Sequence, residues 1–269
     1  MFELNFDKPV LMGIINVTPD SFYSKSRIQH IDGLFYQIES MIDAGADIID
    51  IGAESTRPGS DPVSEEEEIN RLSEILSKFK SKFNCLLSLD TMKSEVARFG
   101  LDNGVDIIND VSGLTFDKKM PEIISTYNAG VVLMHMKGLP KTMQENPLNI
   151  NVVDEVINFF RRQLLVCDNH NIQSVFIDPG IGFGKDLESN LELLRNLDLF
   201  LALERPIVIG TSRKSFIDAI SSSTVENRLG GSIASNIAAW KNGASVFRVH
   251  DVLEIKQAFD VYNAVEVNL

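Results

Sequence analysis

Short apolar runs recur along the 269-residue chain at 10–16, 47–51, 86–90, 105–109, 131–135, 175–178, 207–210 and 246–250. They are rich in Ile and Val and apolar at both parities, so each predicts a strand covered on both faces, as in a parallel sheet. Between them lie amphipathic stretches, among them 33–44, 65–80, 152–168, 190–201 and 228–242. These are long enough to be the crossover helices that parallel strands require. Ser64 followed by Glu67 reads as a capping box, which places the acidic run 65–68 in a first helical turn, where negative charge suits the helix dipole. The run is therefore read as structural and not as a metal site. Gly45, Gly104 and Gly243 each close a helical stretch just before the next strand, where glycine tolerates a left-handed cap.

Eight strand-helix repeats with no Gly/Ser-rich or Pro-rich linker predict one domain over residues 1–269, an α/β chain folded as a (β/α)8 TIM barrel. An open doubly wound sheet has the same periodicity. Eight strands without a dinucleotide fingerprint favour the closed barrel over it. The strongest loop signals, 18–31 and 55–64, follow the first and second strands.

Polar residues close or follow every strand: Asn16, Glu54, Asp90, Asn109, His135, Asp178, Ser212 with Lys214, and Arg248 with His250. In a barrel these ends converge on one mouth. Any one of them alone is explained as a loop or helix cap, whereas one at every strand end points to an active site. The turn Asp178-Pro179-Gly180-Ile181-Gly182-Phe183-Gly184-Lys185 is glycine-rich but fits neither a Walker A loop nor GxGxxG. It reads either as a tight strand-to-helix turn or as a close approach to a flat ligand or phosphate. Ser55-Thr56-Arg57-Pro58-Gly59-Ser60 and Thr211-Ser212-Arg213-Lys214-Ser215 offer hydroxyls and cations after the second and seventh strands. Arg57 and Arg213 are read as anion-binding or as solvated surface side chains. Arg248 and His250 alternate on one strand, so they share a face and can grip one anion together. Asp90, Asn109 and Asp178 can accept from the N–H groups of a flat heterocycle. Read instead as a glycosidase's acid and base, the carboxylates would leave the basic loops unexplained, and no nucleophile among Ser, Cys and His is well supported.

The net charge of -13 argues against nucleic acid or anionic membranes as partners, so any anionic substrate must meet locally gathered cations. Cys85 and Cys167 form no CxxC motif, which suggests neither a disulfide framework nor a zinc site and fits a reducing cytoplasm. The first ten residues lack the pattern of a secretory signal, and no apolar run reaches the length of a membrane span.

Taken in order, Met12-Gly13-Ile14-Ile15-Asn16-Val17-Thr18-Pro19-Asp20-Ser21-Phe22, the 54–60 loop, Ser88-Leu89-Asp90-Thr91, Ile108-Asn109-Asp110-Val111-Ser112, Met134-His135-Met136, and the segments 178–185, 212–215 and 248–251 closely resemble dihydropteroate synthases. Those folate-pathway transferases join a pterin methyl diphosphate to 4-aminobenzoate, and the resemblance spans nearly the whole chain. It implies a pterin pocket of Asp90, Asn109, Met134, Asp178, Gly182 and Lys214. It implies a diphosphate edge of Asn16, Thr56, Arg248 and His250, with Asn16 acting through Mg²⁺. Thr56, Arg57, Pro58, Phe183 and Ser212 then correspond to the family's 4-aminobenzoate and loop contacts, where sulfonamides compete. Asp90, Asp178, Lys214, Arg248 and His250 are the implied catalytic set. A homodimer is also implied, with the Ala-rich segment 233–239 suited to close helix contact.

One departure stands out. Many relatives follow the Asn-Val-Thr-Pro-Asp-Ser-Phe segment with Ser-Asp-Gly-Gly, and here Tyr23-Ser24-Lys25-Ser26 takes its place, so Ser24 brings no carboxylate. Lys137 stands where Gln is common. The alternatives are a pterin-binding methyltransferase barrel of the kind serving corrinoid proteins, which would not need the two basic loops, and a catalytically silent pterin-binding paralogue.

Overall fold

The computed structural model describes residues 4–17, 27–55, 60–138, 143, 147–148 and 151–266. Strands and helices alternate as β1 (Val10–Asn16), α1 (Arg27–Asp43), β2 (Ile48–Gly52), α2 (Glu65–Lys82), β3 (Leu86–Asp90), α3 (Ser94–Asp102), β4 (Ile107–Asp110), α4 (Met120–Thr126), β5 (Gly130–Met134), α5 (Val152–Asn169), β6 (Val175–Asp178), α6 (Leu187–Arg195), β7 (Val208–Ile209), α7 (Ser215–Ile220), α8 (Leu229–Lys241), β8 (Val246–Val249) and α9 (Val252–Glu266). All ladders are parallel, in the order β6-β5-β4-β3-β2-β1-β8-β7. The two outer strands meet in a parallel bridge between Ile177 and Ile207, where the Ile177 amide donates to the Pro206 carbonyl at 3.0 Å. The sheet is thus a closed (β/α)8 barrel and not the open alternative.

Because side chains alternate along a strand, the apolar-on-both-parities pattern divides into two cores. Val10, Met12, Ile48, Ile107, Val132, Phe176, Val208 and Val246 fill the inside of the barrel as one apolar layer. The opposite parity, including Leu11, Ile49, Leu87, Val131 and Phe247, packs against the surrounding helices through residues such as Ile38, Leu72, Phe79 and Phe160. Counting two residues onward from the inner layer lands on Asp50, Asn109, Met134, Asp178 and Arg248, and four onward from Leu86 lands on Asp90. The mouth is therefore polar because of register.

Several boundaries differ from the pattern reading. β4 starts at Ile107 and not at Val105, because the Val105 amide closes the last turn of α3 on Gly100 O at 3.1 Å. Residues 190–201 are not one helix: Asp186 caps α6 early by accepting from Ser189 N at 2.8 Å. A separate 3₁₀ helix, Leu197–Leu203, follows. β7 has two residues where four were expected, and β2 and β5 are each offset by one.

The capping box is present, with Ser64 Oγ accepting from Glu67 N at 3.2 Å. Glu68 within the acidic run has a structural role beyond the helix dipole. It is fully buried, and its carboxylate lies 2.7 Å from Lys93 Nζ. The same ammonium lies 2.7 Å from Glu54 Oε2 and 2.7 Å from the Val63 carbonyl, while Glu54 Oε1 accepts from Val63 N at 2.8 Å. One buried lysine thus ties the end of β2 to the entry of α2. Removing it leaves two carboxylates without their cation, and breaking a buried pair this way costs about 3–5 kcal/mol. Lys93→Met should lower unfolding stability by that order in urea titrations. A loss below about 1 kcal/mol, the scale of a surface pair, would contradict the assignment.

Candidate active site

The centre of the mouth is Asp50, a residue that the strand-end pattern does not single out because it lies inside β2. It is fully buried and accepts from Ser88 Oγ at 2.6 Å, Asn109 Nδ2 at 3.1 Å and Arg248 Nε at 2.6 Å. Arg248 reaches Asp90 through Nη2 at 2.8 Å. Strands β2, β3, β4 and β8 are thereby joined across the barrel by one charged network. Burial raises the Asp90 pKa to about 7, with the Asp50 carboxylate adding to the rise and Arg248 opposing it. Burial works against the Arg248 charge, but the Asp50 and Asp90 carboxylates outweigh it and raise its pKa.

The opposite side is built by the turn after β6. Asp178 is buried, and its Oδ1 accepts from Gly180 N at 2.7 Å. Burial lifts its pKa, against the pull of Lys214 and the Gly180 amide. Gly180 has φ +72°, and a Cβ there would lie 2.0 Å from His135 O; one at Gly184, with φ +66°, would lie 2.3 Å from Lys137 O. Glycine is required because this turn rests directly on the chain leaving β5. Lys214 Nζ donates to Ile181 O and stands 4.5 Å from the centroid of the Phe183 ring. Its stem passes Gly182, where a Cβ would be 3.3 Å from Lys214 Cδ. Burial lowers the Lys214 pKa to about 8, with Asp178 opposing.

Met92, Val111 and Met134 form an apolar wall at the mouth, with Met136 and Phe183 packed on it. Acceptors on two sides of a polar floor, beside a soft apolar wall, suit a flat heterocycle edged with N–H groups. Ser212 Oγ lies 3.0 Å from His250 Nδ1 and accepts from His250 N at 3.2 Å, so the ends of β7 and β8 are linked. Asn16 is exposed at the end of β1.

Other strand-end residues serve the scaffold. The Arg213 guanidinium is held by Asp251 at 2.9 and 2.5 Å, so it is not a simple solvated cation. Glu54 belongs to the Lys93 cluster. His135 packs edge-on against Phe159 at 5.0 Å, and burial lowers its pKa to about 3, so it is a neutral core residue. Asp110 caps the loop after β4 by accepting from Ser112 N at 2.8 Å and Leu114 N at 3.0 Å. Thr56, Arg57 and Pro58, and the Tyr23–Ser26 departure, lie outside the described residues.

The family model described as pterin binding enzyme matches residues 12–250. The chain is 38% identical to the dihydropteroate synthase of Haemophilus influenzae over 263 residues, which is 97% of this chain and 95% of that one. A Xanthomonas albilineans dihydropteroate synthase solved with 4-aminobenzoic acid superposes with a TM-score of 0.91 at 35% identity, covering 99% of this chain and 96% of the other. The enzyme from the same organism in complex with 7,8-dihydropteroate gives 0.86 at 31% identity, with the same 99% and 96% coverage. A barrel mouth of this composition, in a chain alike from end to end, belongs to the pterin-binding enzymes, and within them to the dihydropteroate synthase family.

Proposed function

We propose that this mouth condenses 6-hydroxymethyl-7,8-dihydropterin diphosphate with 4-aminobenzoate, giving 7,8-dihydropteroate and diphosphate in folate biosynthesis. The observation that carries the reading is the joint placement of Asp90, Asn109 and Asp178 around the Met134 wall, with Lys214 and Arg248 at its edge. Neither the methyltransferase nor the silent-paralogue alternative is favoured over the full-length similarity to the synthases.

In this reading Asp90 and Asp178 accept from the pterin N–H groups, with Asn109 and Lys214 completing the hydrogen-bonded edge beside Met134 and Gly182. Arg248 and His250 face the diphosphate, with Ser212 holding the His250 ring. Asn16 and Thr56 flank the same group, and Thr56, Arg57, Pro58, Phe183 and Ser212 border the 4-aminobenzoate. The arylamine nitrogen attacks the methylene carbon as its bond to the diphosphate oxygen breaks, and the nitrogen then sheds a proton. An aromatic amine is already nucleophilic, so the residues chiefly position the substrates and stabilise departing charge.

Asn16 offers one exposed amide oxygen, and among the described residues no group of three or more His, Cys, Asp or Glu side chains could hold a metal. Mg²⁺ takes oxygen ligands, keeps several of its waters and shares substrate phosphates, so the Asn16 amide oxygen would hold it together with the diphosphate. Bound there with the diphosphate, it supplies charge neutralisation to the leaving group.

We also place the chain in the cytoplasm as a homodimer. Two free cysteines fit a reducing compartment, and no helix among the described residues is long and apolar enough to cross a membrane. Ala234 and Ala238 are exposed one turn apart on α8, which permits close approach of a second helix.

Isotope-traced turnover with Mg²⁺ tests the reaction: the pterin diphosphate and labelled 4-aminobenzoate should yield labelled dihydropteroate. Pterin binding by calorimetry with no such product would sink the reading. Asp178→Asn and Lys214→Ala should each weaken pterin binding by about tenfold to a hundredfold, the range for a hydrogen bond to a charged group. Arg57→Ala should lower kcat more than pterin affinity. Acidification converts the Asp90 acceptor into a donor, so pterin affinity should fall as pH drops through about 7, where its carboxyl takes up a proton. An affinity that stays flat from alkaline to acidic pH would refute that role for the carboxylate.

A further inference from the structure

Lys185 takes no part in the chemistry above, yet it is one of the most enclosed charged groups at the mouth, 2% exposed. Its ammonium donates to three backbone carbonyls: His135 at 3.0 Å, Gly180 at 2.9 Å and Phe183 at 3.0 Å. The first belongs to the chain leaving β5 and the other two to the turn after β6, so one side chain spans two segments that glycine already brings into contact. An ammonium has three protons to give, and here three carbonyls accept them. Burial lowers its pKa to about 7, with Asp178 opposing, so an ammonium at this position works against a desolvation cost that the three carbonyls offset.

The neighbouring carbonyl, Ile181, points to the other lysine. Lys214 Nζ bonds to Ile181 O and stands over the Phe183 ring, while Lys185 holds the carbonyls of Gly180 and Phe183 on either side. The same turn supplies the Gly180 amide that orients the Asp178 carboxylate, and the Gly182 amide donates to Asn190 Oδ1 at 2.6 Å. Two expected pterin contacts, Asp178 and Lys214, therefore take their positions from a turn whose backbone Lys185 fixes.

We propose that Lys185 is a positioning residue for pterin recognition, acting through the 180–183 turn on Lys214 and Asp178. This rests on the pterin reading of the mouth and adds to it the residue that sets its geometry. Lys185→Met keeps the length of the stem and removes the ammonium. The full-length variant, at a temperature where circular dichroism shows it folded, should bind the pterin diphosphate about tenfold more weakly, equivalent to about 1.4 kcal/mol.

A double-mutant cycle with Lys214→Ala separates positioning from plain structural support. If Lys185 acts through the shared turn, the double variant loses less affinity than the product of the two single losses. Independent losses, or an unchanged pterin affinity in folded Lys185→Met, would overturn the proposal. Should Lys185→Met fail to fold, Lys185→Gln, whose uncharged amide has two N–H groups to give in place of three, serves in the same cycle. Wild-type enzyme that binds no pterin diphosphate would instead overturn the functional reading itself.

Discussion

Closing eight parallel strands into a barrel leaves an interior that only side chains of one parity can enter, and it aligns every strand's carboxyl end at one rim. That single constraint converts eight scattered strand ends into one site. The lower part of the interior is filled by Met12, Ile48, Phe176 and their apolar neighbours. At the next level the polar side chains of different strands are forced into mutual contact, and each must find its partner among the others.

The charges at that level balance locally. Asp50, Asp90 and Asp178 share the space with Arg248, Lys214 and Lys185, and the contacts link them in two groups, one around Asp50 and one around the β6 turn. Burial pushes the Asp90 and Asp178 carboxyls up and the two lysines down, so all four are held closer to neutrality than in water. Groups fixed this way need little reorganisation when a charged ligand arrives, which is how preorganised sites stabilise developing charge.

The strand pattern and the mouth were legible because both depend on local signals: apolar runs of the right length, and polar residues at their ends. His135 and Asp178 show the limit of that logic. Both close an apolar run in the sequence, yet Asp178 is the last residue of β6 and enters the mouth while His135 lies one past the end of β5 and turns onto Phe159 in the outer core, a difference of one residue in register that shifts the side chain to the other face. Asp50 was hidden for the opposite reason. It sits within an apolar run, and its partners Ser88, Asn109 and Arg248 lie on other strands. Arg213 gave the signal of a free cation because Asp251, its partner, lies 38 positions further on, past the next strand. Val105 read as strand because its apolar character is the same whether it joins the sheet or closes a helix.

The ion pair between Asp50 and Arg248 joins residues 198 positions apart, the second strand to the last. A chain emerging from the ribosome carries Asp50 and Asp90 long before β8 exists to neutralise them. The earlier strands can gather their apolar layers, but the charged storey above stays hydrated until the final strand docks between β7 and β1. The site and the closed barrel thus depend on the same long-range pairing, and contacts of such separation slow folding by the loop entropy they must overcome.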